Sequence, residues 1–142
     1  MFFVRFFWGE REKKTRGNNK KRENSKHQEG IRKTGMPPNP EVPGFTPSGY
    51  VRPGKKVAHE MSHEEIQELI NIYSEDTKAC EELGFDGVEI HGAHGYLIDQ
   101  FFWDQINHRD DEYGGNIRNR SRFASEILQA AKSNTSENFK VG

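Results

Sequence analysis

The run from Ser62 to His91, SHEEIQELINIYSEDTKACEELGFDGVEIH, constrains this chain more than any other stretch. Ser62 with Glu65 forms a capping box, in which each side chain can satisfy the other's free backbone N–H. Apolar residues then fall at Ile66, Leu69, Ile70, Tyr73, Ala79, Cys80 and Leu83, largely one stripe at helical period, with acids on the opposite face. Gly84 supplies a left-handed stop. FDGVEIH reads as a short strand with Phe85, Gly87, Glu89 and His91 on one face and Asp86, Val88 and Ile90 on the other. Helix, tight glycine turn and strand in this order favour a parallel sheet, so the expected class is α/β. His91 then falls at the carboxyl end of the strand, where parallel-sheet and barrel enzymes place their chemistry.

On either side the pattern changes. Residues 103–115, WDQINHRDDEYGG, read as a polar loop. A second helix is expected from Asn116 to Lys132, burying Ile117, Ala124, Ile127, Leu128 and Ala131, with Phe123 near the boundary. SNTSEN is a turn and FKVG begins another strand. Upstream, all six prolines lie within residues 37–53. Proline fixes φ and removes a donor, so this segment reads as an extended, wandering loop rather than an element interior.

The first 33 residues are of a different kind. They carry eleven Lys/Arg against four Glu, a net of +7, and since the whole chain is −1 the remainder sums to −8. With no helical or strand periodicity, about residues 9–33 cannot bury enough to offset their ordering entropy and read as disordered. Phosphate contacts are open to such a run, but it lacks interleaved aromatics and any reading module, so a solvated tail is the stronger reading. The opening MFFVRFFW is too short for a signal-peptide core or for a span of about 20 residues. Cys80 is the only cysteine, which gives no internal disulfide and fits a reduced, cytoplasmic setting.

The chemistry-bearing string is HGAHGY, residues 91–96. His91 and His94 have three readings. As metal ligands they need further donors; no HExxH or cysteine cluster supplies them, and Glu89, Asp99 and His108 could be recruited only by the fold, so no metal site is expected. As structural histidines they would bond loop carbonyls, the usual fate of a lone imidazole. As a pair facing one pocket they would stabilise charge developing on a substrate oxygen. Tyr96 adds a weak acid suited to protonating a carbon that is becoming enolic, although a packing role with a satisfied hydroxyl remains open for it.

The longer string GFDGVEIHGAHGYLIDQFFWDQINHRDDEYGGNIRNRSRFASEI resembles the Old Yellow Enzyme family, FMN-dependent NADH:flavin oxidoreductases with a TIM-barrel fold. The likeness is carried by Gly84 to Gln100, Asn107, Arg109, Asp111 to Gly115, Asn119, Arg120, Arg122 and Phe123, and with the proline-rich piece it extends over roughly residues 30–142. It implies that NADH or NADPH reduces FMN, which passes hydride to the activated C=C of an α,β-unsaturated carbonyl. It also implies that His91 and His94 bind the carbonyl oxygen of an enone or phenol ligand, and that Tyr96 is the proton donor.

A complete (β/α)₈ barrel takes ~250 residues, and the similar part is less than half of that. The expectation is therefore a basic segment at 1–33 followed by a partial barrel at 34–142, with most of the FMN site outside the chain and no flavin-contacting residue assigned within it. Activity of the chain alone is not expected, and the cut sheet edges are expected to favour self-association. No membrane or nucleic-acid partner is expected. The competing expectation is a non-enzymatic remnant whose basic tail binds anionic partners.

Overall fold

The computed structural model describes residues 4–7 and 44–142. The basic run, its expected disorder and the division at 33/34 lie outside the described residues. The chain is mixed α/β. Strand β1 (Val4–Phe7) is followed by four short strands, β2 (Phe45–Thr46), β3 (Tyr50–Arg52), β4 (Lys55–Lys56) and β5 (His59–Glu60). Then come helix α1 (His63–Glu82), β6 (Gly87–Ile90), α2 (Leu97–Phe102), α3 (Ile117–Arg120), α4 (Arg122–Ser133) and β7 (Lys140–Val141).

The sheet that positions the site has the order β1-β6-β7. β6 and β7 are parallel, with Gly87 opposite Lys140 and Val88 opposite Val141, and helices α2 to α4 form the crossover between them. Gly87 is required by that approach, since a Cβ there would lie 2.6 Å from the Lys140 carbonyl oxygen. β1 pairs with the other side of β6 and runs antiparallel, Val4 opposite Ile90 and Phe7 opposite Gly87. This departs from the all-parallel arrangement expected of a barrel segment. An unpaired strand edge presents free N–H and C=O groups and takes whatever strand the chain brings to it.

The capping box forms as expected: Ser62 N donates to Glu65 Oε2 at 2.7 Å and Glu65 N donates to Ser62 Oγ at 3.2 Å. Gly84 has φ 87° and stops the helix. Leu83 does not join the buried stripe; it is the C-cap residue and 70% exposed. The main core joins Met61, Ile66, Ile70 and Tyr73 to Leu97, Ile98, Phe101, Tyr113, Phe123 and Ile127, with Phe101 stacked on Phe123 at 4.3 Å. A smaller cluster of Cys80, Val88 and Phe139 lies under the sheet's other end.

Two expectations need correction. The single helix over 116–132 is broken at Ser121, which has φ −85° and ψ −8° and whose Oγ donates to Arg118 O at 2.9 Å. Phe123, Ile127 and Ala131, spaced by four, share the face that packs on the core, while Ile117 and Leu128 lie off that face and are exposed. The proline-rich segment is also more regular than expected over its described part. β2 pairs in parallel with β5, and β3 pairs antiparallel with β4. Pro47 and Pro53 fall between these strands, where their missing N–H is not needed.

Candidate active site

His91 follows β6 directly, so the strand fixes where its Cα sits. The next residues turn sharply. His94 has φ 61° and Gly95 φ 73°, and Tyr96 N donates to Ala93 O at 3.3 Å. Two successive positive φ values under an i to i+3 bond are the pattern of a type I′ turn. Histidine is among the few non-glycine residues enriched in the left-handed region, where side-chain residues carry a conformational cost. Tyr96 is then the N-cap of α2 in extended conformation.

The turn folds the three sequence-predicted side chains together. His94 Nδ1 lies 3.3 Å from His91 Nε2, and the two rings are tilted by 38° with centroids 5.1 Å apart. Tyr96 meets the His91 ring edge-on, also at 5.1 Å between centroids. His94 is exposed, while His91 and Tyr96 are half-buried. A neutral imidazole has one N–H and one acceptor nitrogen, so a direct contact uses only one donor of the pair. With the Nε2–H tautomer at His91 and the Nδ1–H tautomer at His94, a single oxygen about 2.8 Å from each nitrogen would accept from both. The arrangement can therefore bind one carbonyl, phenolic or enolic oxygen beside a phenol. Among the described residues, no group of three or more His, Cys, Asp or Glu is placed to hold a metal ion.

The turn is held by Asp99 and Gln100, a role not read from the sequence for either. Gly95 N donates to Asp99 Oδ2 at 2.7 Å, and Gln100 Nε2 donates to Gly95 O at 2.8 Å. The spacing of four and five residues into a helix first turn was the available signal. An open pocket of about 450 Å³ lies alongside, with Gly95, Asp99, Gln100, Phe102, Trp103 and Val51 in its walls. His91, His94 and Tyr96 do not line it, so it adjoins the imidazole pair without enclosing it.

The polar loop at 107–115 has another task. Asn107 Nδ2 donates to Phe101 O at 2.7 Å and to Tyr113 O at 2.9 Å. Arg109 donates to Pro47 O at 2.6 Å, to Met61 O at 2.5 Å and to both oxygens of Asp111. Burial works against the Asp111 carboxylate, but the Arg109 guanidinium and the Tyr113 N–H outweigh it and hold its pKa below the ordinary value. The Tyr113 phenol is pushed up by burial and by Glu126, to which it donates at 2.7 Å. Arg120 bonds Phe102 O and Gly115 O, and Arg122 bonds Glu112 O. These groups secure the backbone around the site.

The profile of the NADH:flavin oxidoreductase / NADH oxidase family matches residues 12–142. The putative 12-oxophytodienoate reductase 11 of Oryza sativa subsp. japonica is 58% identical over 67 residues, 47% of this chain and 18% of that protein. The probable flavin mononucleotide-dependent alkene reductase of Leishmania infantum is 49% identical over 86 residues, 61% of this chain and 23% of that protein. Among solved structures, 2-naphthoyl-CoA reductase in complex with 2-naphthoyl-CoA superposes with a TM-score of 0.64 at 31% identity, over 70% of this chain and 15% of that one. Histamine dehydrogenase from Rhizobium sp. 4-9 gives 0.62 at 30% identity, over 70% of this chain and 16% of that one.

The chain belongs to the NADH:flavin oxidoreductase / NADH oxidase family. The cofactors of that family are FMN and NADH or NADPH. The match with these two curated relatives spans about a fifth of their length. The donor set at His91, His94 and Tyr96 offers two imidazoles and a phenol to a ligand oxygen. Arg109, Arg120 and Arg122 do not fit an FMN phosphate, because they are spent on carbonyls and carboxylates of the chain itself. No described helix is long and apolar enough to cross a membrane.

Proposed function

We propose that this chain carries the substrate-oxygen face of an FMN-dependent ene-reductase acting on α,β-unsaturated carbonyl compounds. The observation that carries the reading is the 3.3 Å approach of His91 Nε2 and His94 Nδ1 beside the Tyr96 ring. FMN, when bound and reduced by NADH or NADPH, supplies the hydride that the β-carbon receives. His91 and His94 both donate to the carbonyl oxygen and stabilise the negative charge that builds on it as the β-carbon is reduced. Tyr96 delivers a proton to the α-carbon, which completes the addition of two hydrogens across the double bond. A phenol occupies the same pair as an oxygen-bearing ligand that cannot react.

The parallel step from β6 to β7 is read as a segment of a (β/α)₈ barrel, with residues 34–142 as its domain, in a cytoplasmic enzyme. Association through sheet edges would supply the rest of a flavin site. The reading as a non-enzymatic remnant rests on the basic run, which lies outside the described residues.

The test is a titration of the chain with a para-substituted phenol in the presence and absence of FMN, with size-exclusion chromatography reporting assembly. His91→Ala and His94→Ala are each expected to weaken phenol binding about tenfold, the worth of one hydrogen bond to a charged oxygen. Unchanged affinity in both variants would overturn the assigned roles.

A further inference from the structure

We infer that Asp99 and Gln100 are positioning residues for the imidazole pair, acting together on the two peptide groups that flank the Gly95 Cα. The inference rests on the functional reading above for what the histidines do, and on the geometry of the turn for how they are held. Gly95 is the residue between His94 and Tyr96. Its N–H is bonded by Asp99 at 2.7 Å and its carbonyl by Gln100 at 2.8 Å, so both of its backbone polar groups are fixed by one turn of α2.

That clamp holds a conformation the local sequence disfavours. His94 has φ 61°, and with the turn left-handed its Nδ1 lies 3.3 Å from His91 Nε2. The orientation of Gln100 points the same way. The side chain is 4% exposed, and its Oε1 has no partner among the described residues while its Nε2 serves Gly95. A buried acceptor left unpaired is costly, and turning the amide over would surrender the bond to Gly95. The amide is placed for its donor.

The α2 helix is itself anchored. Phe101 is fully buried between Tyr113 and Phe123, and Arg120 bonds Phe102 O at 2.8 Å. Asp99 and Gln100 therefore transmit the position of a packed helix to an exposed turn. The clamp sets the gap between His91 Nε2 and His94 Nδ1, and hence whether one oxygen can reach both.

The experiment is NMR on the isotopically labelled chain, with Asp99→Ala, Asp99→Asn and Gln100→Met as variants. Hydrogen exchange at the Gly95 amide, the cross-relaxation between the two imidazoles and phenol affinity are read together. Asp99→Ala is expected to speed Gly95 exchange at least tenfold, to abolish the imidazole cross-peak and to weaken phenol binding about tenfold. Asp99→Asn removes the charge and keeps an acceptor, so it is expected to restore all three. Gln100→Met is expected to lose the cross-peak while α2 stays folded.

An unchanged cross-peak and affinity in Asp99→Ala would overturn the inference, leaving the bonds to Gly95 as local packing. Failure of Asp99→Asn to restore them would overturn it as well, since charge rather than position would then be at work. If Asp99→Ala does not fold, the contrast between Asp99→Asn and Gln100→Met decides. Absence of phenol binding by the wild-type chain would count against the functional reading, while exchange and cross-peak still judge the clamp.

Discussion

The loop after β6 and the loop after α2 both carry hydrogen-bonding side chains, and they spend them in opposite ways. In HGAHGY the backbone is strained and the rings of His91, His94 and Tyr96 gather at a half-open surface. In NHRDDEYGG the side chains of Asn107, Arg109 and Asp111 turn inward onto carbonyls and N–H groups. Both strings carry the family likeness. The difference teaches that a motif's residues divide into those left facing outward, which the proposed function assigns to a ligand, and those turned inward to hold the backbone, and that the destination of each hydrogen bond tells them apart.

The sharpest break in that comparison comes from the holding loop. Arg109→Ala removes donors from Pro47 O and Met61 O and strands Asp111, and the Arg109 side chain is only 8% exposed. A loss of about 3 kcal/mol in stability is expected, seen as a lower urea midpoint with little change in slope. If His91→Ala cost as much, the division of labour would be wrong.

A smaller effect is expected in the strained turn. Gly95→Ala meets nothing within 4 Å, so the only penalty is that of a side chain at φ 73°. That penalty is about 1 kcal/mol, measurable by denaturation. A loss several times larger would mean that an unseen steric contact, and not backbone conformation, reserves the site for glycine.

The smallest effect belongs to pH. Asp111 is held below its ordinary pKa in the folded chain. Its contribution is therefore complete above the ordinary carboxylate range near ~4 and is lost as pH falls through the folded value. Acid unfolding of the wild-type chain should steepen in that window, and Asp111→Asn should flatten the limb. An unchanged acid limb would place the holding loop's electrostatics elsewhere.

The histidine pair and the tyrosine were legible because their residue types and order are unusual at the end of a strand. Asp99 and Gln100 were not, because an acid and an amide on a short helix look like a solvated face until the turn they grip is seen. Likewise Arg109 reads as one charge in a charged loop, and its partners Pro47 and Met61 lie 62 and 48 residues away in the chain.

By itself the sequence determined the Ser62–Glu65 cap, the helix it opens, the Gly84 stop and the strand leading to His91, since capping and periodicity act within a few residues. Only the tertiary structure decided that β1 pairs antiparallel with β6, and that Phe123 rather than Ile117 or Leu128 enters the core. It alone turned His91 and His94 face to face. Strand partners, the face a helix turns to the core and the meeting of two rings depend on what the rest of the chain brings alongside, and no local pattern encodes that.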